Sequence, residues 1–352
     1  MLDDISKIKQ LDSKNMLGSL ELLGKQVENV WQEAKAVKLP ASYKKVKNII
    51  VLGMGGSALG SHIVQALYKN HLTIPVEVVG YYKVPASLNK NTLVIVSSYS
   101  GTTEEVVAAS KEALKKKAKI LVLTSGGELA LWAKKNKLPA LVFSTNDNPC
   151  GSPRMGQGYM IFGQVALLSQ LGLIPKLNPK NILEVIGRYQ SLYNVAAPSV
   201  KNQAKETAQA LIGKSVWYIA SEHLSGNAHT AANQFNENAK RFGGYFIIPE
   251  MNHHLLEGML FPESNKSNLA FVLFESALYD VRVQRRYEIT KNILTKNNIA
   301  FTGYSCQEKT ILGQACEVLV FSAYVSFYSA MLQGIDPTAI PFVDFFKEQL
   351  KK

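Results

Sequence analysis

Two serine-bearing turns in the first third of the chain have the composition of a phosphate grip. They are Leu52-Gly53-Met54-Gly55-Gly56-Ser57-Ala58 and Ser97-Ser98-Tyr99-Ser100-Gly101-Thr102-Thr103. Each follows a run of strand character, Asn48 to Leu52 and Leu93 to Val96, and each precedes a stretch with helical spacing. A strand that breaks into small residues before a helix exposes backbone N–H groups at the helix's positive end, where an anion is stabilised. Glycine lets the backbone approach closely, and the hydroxyls of Ser57, Ser98, Ser100 and Thr103 add donors suited to a tetrahedral group. One such turn alone is ordinary capping chemistry. Two in succession point to a single bound phosphate. The first turn nearly meets G-x-G-x-x-G through Gly53, Gly55 and Ala58. No acidic residue closes the next strand, which favours a monophosphate over a dinucleotide.

Four further groups could act on whatever the phosphate belongs to. Arg154 follows Pro153 at a helix start, and a guanidinium there could hold an oxyanion with its permanent charge and planar fork. Glu237 sits among amides in Asn233-Gln234-Phe235-Asn236-Glu237-Asn238-Ala239-Lys240, where a carboxylate could serve as a general base. His229, Asn233 and Glu237 are spaced by four and share a helix face. With His223 they could suggest a metal site, yet no strong ligand spacing is present. Pro249-Glu250-Met251-Asn252-His253-His254 carries two adjacent histidines, the residue type able to donate and accept a proton near neutral pH. Lys347, in Phe345-Phe346-Lys347-Glu348, reads by itself as a basic helix end.

The elements that would position these groups alternate between strand and helix. Leu11 to Ala36 reads as mostly amphipathic helix, with Leu20, Leu23, Val27 and Val30 on one side. Strands are expected at 48–52, 76–80, 93–97, 120–124 and 140–143, with helices near 58–69, 103–117 and 127–136. Turn formers from Asn146 to Pro153 precede a long helix running to about Leu171. After a helical connection over 176–210, the pattern repeats with strands at 215–220, 245–248, 269–274, 299–303 and 317–321. Helices are expected near 226–241, 281–297, 322–333 and 338–350. Short apolar strands separated by helices indicate an α/β protein with parallel sheets covered on both faces. In such sheets ligands bind beyond the carboxyl ends of the strands, where both serine turns fall.

A length of 352 residues exceeds one ordinary core and suggests two domains. Hydrophobic content of 47% with 19% charged residues describes an ordered globular chain rather than a disordered one. No uninterrupted apolar stretch reaches the roughly 18 residues that span a bilayer, so no membrane role is expected. The N-terminal order is not that of a secretory signal, and three cysteines (Cys150, Cys306, Cys316) without metal spacing fit a reducing cytoplasm. The net charge of +12 raises the question of nucleic acid. Its densest run, Lys115-Lys116-Lys117-Ala118-Lys119, lies at a helix end where cations suit the macrodipole, and no recognition pattern accompanies it. Small anionic metabolites are the better partner.

Five segments in order give the chain a family likeness: Gly53-Met54-Gly55-Gly56-Ser57, Ser98-Tyr99-Ser100-Gly101-Thr102-Thr103, Gly151-Ser152-Pro153-Arg154, Asn236-Glu237-Asn238-Ala239-Lys240 and Pro249-Glu250-Met251-Asn252-His253. On these the chain resembles the sugar isomerase (SIS) superfamily, most closely the bifunctional phosphoglucose/phosphomannose isomerases. The resemblance implies two SIS domains, 1–175 and 176–352, each a doubly wound, mostly parallel sheet flanked by helices. It implies interconversion of glucose 6-phosphate or mannose 6-phosphate with fructose 6-phosphate, without metal or organic cofactor. Ser57, Ser98, Ser100, Thr103 and the Gly56 amide would bind phosphate. Glu237 would move a proton between C1 and C2 through a cis-enediol(ate), with Arg154 stabilising the developing charge. His253, expected from the neighbouring subunit of a dimer, would assist ring opening, helped by Lys347. The chain departs from the usual pattern at His254-Leu255 and at Thr102. The rival readings are a non-catalytic sugar-phosphate sensor and an SIS isomerase for another sugar phosphate. Glu237, His253 and Arg154 occurring together favour an enzyme.

Overall fold

The computed structural model describes residues 1–350. Two sheets organise them. The first comprises β1 (Asn48–Leu52), β2 (Val76–Val79), β3 (Thr92–Ser97), β4 (Lys119–Thr124) and β5 (Ala140–Val142), in the order β2-β1-β3-β4-β5. The second comprises β6 (Ser215–Ala220), β7 (Gly243–Ile247), β8 (Leu269–Glu275) and β9 (Ala300–Ser305), in the order β7-β6-β8-β9. Every pairing in both sheets is parallel. Strand order reverses between β1 and β3, so the two serine turns emerge side by side at the switch point of the first sheet.

Alternate residues of the first sheet face different cores. Ile49, Val51, Leu93, Ile95, Leu121 and Leu123 join a core that also contains Val216, Ile219 and the long helices between the sheets. Ile50, Leu52, Val94, Val96, Ile120 and Val122 pack on the other face against Val106, Ala109, Ala113 and Leu129. Burial on both faces explains why these strands read as continuous apolar runs.

The Gly56–Tyr68 helix, which starts at the first serine turn, is held by backbone contact on two sides. A Cβ on Gly60 would lie 2.8 Å from the Met160 carbonyl carbon, in the Gln157–Gln170 helix. A Cβ on Gly226 would lie 2.5 Å from the carbonyl group of His62, which brings the Ser225–Ala239 helix directly against the Gly56–Tyr68 helix. The helix that follows the first serine turn and the helix bearing Glu237 are therefore neighbours at closest approach.

Three local expectations change. The run Glu317-Val318-Leu319-Val320-Phe321 is not a strand; it belongs to a single buried helix, Ile311–Leu332. An apolar run of that length fits a core helix as well as a strand, and periodicity cannot separate them. Among the described residues this is the one helix long and apolar enough to cross a membrane, and 94% of its apolar window is buried inside the protein. The expected helix from Leu11 to Ala36 is broken. Helices Ile5–Leu11, Met16–Glu21 and Leu23–Lys35 take its place. The Asp12 carboxylate accepts from the amides of Met16 and Leu17, and Asn15, at φ +55°, caps through Gly18 N–H, so side-chain capping interrupts the run at 12–15; the second break, at Leu22, carries no side-chain cap. Last, Pro153–Met155 is a short 3-10 turn, and the α-helix starts at Gln157.

Candidate active site

The two serine turns are stitched together by direct bonds. Ser57 Oγ accepts from the Tyr99 amide at 2.8 Å, and Ser97 Oγ donates to the Ser57 carbonyl at 2.9 Å. The Ser57 hydroxyl proton stays available to a ligand. Within the second turn, Ser98 Oγ lies 3.1 Å from Thr103 Oγ1 and accepts from Gly101 N–H at 3.2 Å. Ser100 Oγ accepts from the amide and hydroxyl of Thr102. Neither the Gly56–Tyr68 helix nor the Glu104–Lys115 helix has a side-chain cap, so both offer first-turn N–H groups to an anion. Gly55 (φ +49°) and Gly101 (φ +68°) occupy the left-handed region that makes each turn possible without a Cβ penalty.

Arg154 joins this region to the second half of the chain. Its backbone packs on the first turn so tightly that a Cβ on Gly56 would lie 2.9 Å from Arg154 N. The side chain is 1% exposed and every nitrogen has a partner. Nε donates to Asn238 Oδ1 at 2.5 Å, Nη1 to Glu237 Oε2 at 3.2 Å, and Nη2 to the carbonyls of Pro337 and Thr338, each at 3.0 Å. Burial pulls the guanidinium below its ordinary pKa, opposed by the Glu237 charge. An arginine starts so high that it stays charged at neutral pH. Glu237, at the end of the Ser225–Ala239 helix, is about a third exposed, and its Oε1 makes no hydrogen bond among the described residues. One carboxylate oxygen is thus fixed while the other is open.

Polar side chains around this pair complete the frame. Gln157 Nε2 donates to the Gly56 carbonyl and Gln234 Nε2 to the Arg154 carbonyl, both at 2.9 Å. Asn238 Nδ2 donates to Ser326 Oγ. Among the described residues, Gln157 Oε1, Gln234 Oε1 and Thr338 Oγ1 are buried with no partner, three unsatisfied polar atoms on residues that grip Gly56 and Arg154. Such atoms suit a ligand rich in hydroxyls, or water in its place.

The remaining candidates lie elsewhere in this chain. His253 is exposed in a short turn, Glu250–His253, and makes no hydrogen bond or ion pair among the described residues. His254 pairs with Glu250 at 2.9 Å on the surface. Lys347 lies on the Pro341–Gln349 helix, which buries none of its residues and exposes Phe342, Phe345 and Phe346. His229, on the same helix as Glu237, points its ring to the seam between helices, 4.6 Å from His62 and 4.5 Å from Tyr245 by ring centroids. Burial holds its pKa down to about 4. His223 bonds Gln314 in the core. His223, His229 and Glu237 are not brought together, and no group of three or more His, Cys, Asp or Glu side chains able to hold a metal occurs among the described residues. The bonds that Asn238, Gln157 and the turn before the last helix make to Arg154 and Gly56 could not be read from the sequence, because the partners lie some 80 to 180 residues apart.

Comparison with known proteins fits this geometry. The SIS domain profile matches residues 42–136, and the profile of the bacterial phospho-glucose isomerase C-terminal SIS domain matches residues 200–350. The chain is 28% identical over 344 residues to the bifunctional phosphoglucose/phosphomannose isomerase of Caldicellulosiruptor bescii, covering 95% of this chain and 98% of that one. It is 28% identical over 341 residues to the protein of the same name from Aquifex aeolicus, covering 95% and 99%. Among solved structures, a hypothetical protein from Thermus thermophilus shares the fold with a TM-score of 0.78 at 16% identity, over 99% of this chain and 93% of that one. Glucosamine-6-phosphate deaminase from Thermotoga maritima shares it with a TM-score of 0.65 at 15% identity, over 92% and 97%. Two parallel sheets joined through a common helical core, with hydroxyl-lined turns at a switch point, define a protein of the sugar isomerase class. Within that class the chain is similar over most of its length to several proteins named bifunctional phosphoglucose/phosphomannose isomerase.

Proposed function

We propose that the protein is an aldose–ketose isomerase that interconverts glucose 6-phosphate and mannose 6-phosphate with fructose 6-phosphate. The phosphate docks on the hydroxyls of Ser57, Ser98, Ser100 and Thr103 and on amides at Gly56 and its neighbours. A phosphate fixed there leaves the far end of the sugar free to reach Arg154 and Glu237. Glu237 takes a proton from one of C1 and C2 and returns it to the other, passing through a cis-enediol(ate). Proton transfer by a positioned carboxylate contributes about 10²–10⁴-fold in rate. Arg154 holds the negative charge that develops on the intermediate; preorganised donors in a dry site serve this role with little reorganisation. One observation carries the reading: the open carboxylate of Glu237 is held at 3.2 Å by a buried arginine whose own backbone packs on the phosphate turn.

His253 and Lys347 assist ring opening in this reading, with His253 supplied by the second subunit of a homodimer. Support comes from their exposure and from the apolar surface beside Lys347 that one chain leaves uncovered. A boundary near residue 175, between the helices Gln157–Gln170 and Pro179–Tyr193, separates the two SIS domains. The test is a coupled assay of the purified protein with fructose 6-phosphate in EDTA, run across size-exclusion fractions. Glucose 6-phosphate and mannose 6-phosphate should form, with turnover tracking the two-subunit species. No product from fructose 6-phosphate contradicts the reaction, and a fully active single-chain species contradicts the shared histidine.

A further inference from the structure

We propose that Lys240 is a positioning residue for this reaction, a latch that fastens the Asp336–Thr338 turn so that the turn can hold Arg154 on Glu237. The inference rests on the isomerase reading given above. Lys240 Nζ donates to three backbone carbonyls: Asp336 at 2.8 Å, Pro337 at 2.9 Å and Asn238 at 3.1 Å. An ammonium has three N–H donors, so all are used. Pro337 O is shared, since it also accepts from Arg154 Nη2, and the next carbonyl, Thr338 O, accepts from the same nitrogen. Two of the four acceptors that orient the guanidinium therefore sit on the segment Lys240 ties down. The Asp336 carboxylate closes the turn from inside by accepting from the Thr338 amide at 2.8 Å.

Lys240 follows the last residue of the Ser225–Ala239 helix at φ +51°, ψ +39°, the left-handed conformation that Lys117 and Lys137 also adopt just past helix ends in this chain, and it turns the chain out of the helix.

Lys240 faces the Arg154 cation from the turn after Ser152, Glu237 on its own helix, and Asp336 on the latched turn. The residue as a whole is exposed, yet desolvation of its ammonium and the Arg154 charge lower its pKa to about 8, against the pull of Asp336 and Glu237. Above that pH a neutral amine has two donors for three carbonyls. One bond is then lost, and the turn that orients Arg154 loosens.

Lys240→Met keeps the stem and removes the donors. For fructose 6-phosphate we expect kcat to fall roughly 10–100-fold, the scale of a displacement of about 1 Å at a reacting group. KM should stay within about threefold, because the phosphate is gripped by other turns. Amide exchange in the segment 336–340 should speed up, while exchange in both serine turns stays the same. Wild-type kcat should decline above about pH 8 and that decline should vanish in Lys240→Met. In Lys240→Arg, which retains charge and donors, the decline should move to higher pH. Unchanged kcat and unchanged exchange in Lys240→Met overturn the proposal, as does a loss of kcat with exchange at 336–340 unaltered. If Lys240→Met does not fold, Lys240→Arg decides: an alkaline decline still at about pH 8 assigns it to another group and refutes the latch. A wild-type protein without turnover defeats the isomerase reading, whereas the exchange comparison still decides whether Lys240 fastens the turn.

Discussion

Arg154 satisfies four acceptors from two separate stretches of chain, and a lysine could not do the same from one point charge. Its planar fork bonds Asn238, Glu237, Pro337 and Thr338 at once. Arg154→Lys should therefore lower kcat by roughly 10²–10³-fold, the cost usual for removing a donor to a developing oxyanion. It should also leave at least one buried acceptor unpaired, at about 1–3 kcal/mol of stability. Steady-state kinetics and thermal unfolding of the variant check both; turnover within threefold of wild type would set the assigned role aside. The arginine itself was legible in the sequence, since Pro153 and Gly156 mark a turn around a cation. Its partners were not. Asn238 and Lys240 lie within a segment whose one evident chemical group is Glu237, and only packing against the turn before the last helix gives them their bonds.

At the scale of elements, the site depends on how closely the Gly56–Tyr68 and Ser225–Ala239 helices approach. Gly226 sets that distance, because a Cβ there would stand 2.5 Å from the carbonyl carbon and oxygen of His62 and from Ile63 Cα. Gly226→Ala gains about 1 kcal/mol of helix propensity. Overpacking against unyielding backbone costs about 1–3 kcal/mol and should outweigh it. The expected result is a lower Tm together with slower turnover, because Ser57 and Glu237 ride on the two helices forced apart. An unchanged or raised Tm in a melting curve would show that the contact yields. The strands of the first sheet and their helices stood out in the sequence through short apolar runs bounded by glycine and polar turns. The Ile311–Leu332 helix did not, because Val318 to Phe321 is a run of four apolar residues that reads equally as strand. The first helical stretch was misjudged for a different reason: Asp12 and Asn15 act as caps inside an amphipathic pattern whose periodicity continues past them.

As a whole the molecule is two parallel sheets on one shared layer of helices, and the proposed site lies at the seam between them. The largest core includes residues of both sheets, so the positions of the serine turns and of Glu237 are set by one packed unit rather than by two independent halves. The sequence made the repeat of architecture evident and left the seam unseen, since contacts such as Gly56 on Arg154 or Gly226 on His62 involve glycines with no pattern of their own. The net charge of +12 over the chain favours anionic partners in general. The account is tested most directly by hydrogen exchange at the reacting carbon: solvent deuterium entering C1 of fructose 6-phosphate, followed for the wild type and for Glu237→Gln, with sugar-phosphate binding to the variant measured alongside. It predicts ready incorporation by the wild type, and incorporation slower by about 10²–10⁴-fold in the variant at nearly unchanged affinity. Deuterium entering at the wild-type rate in Glu237→Gln would contradict it.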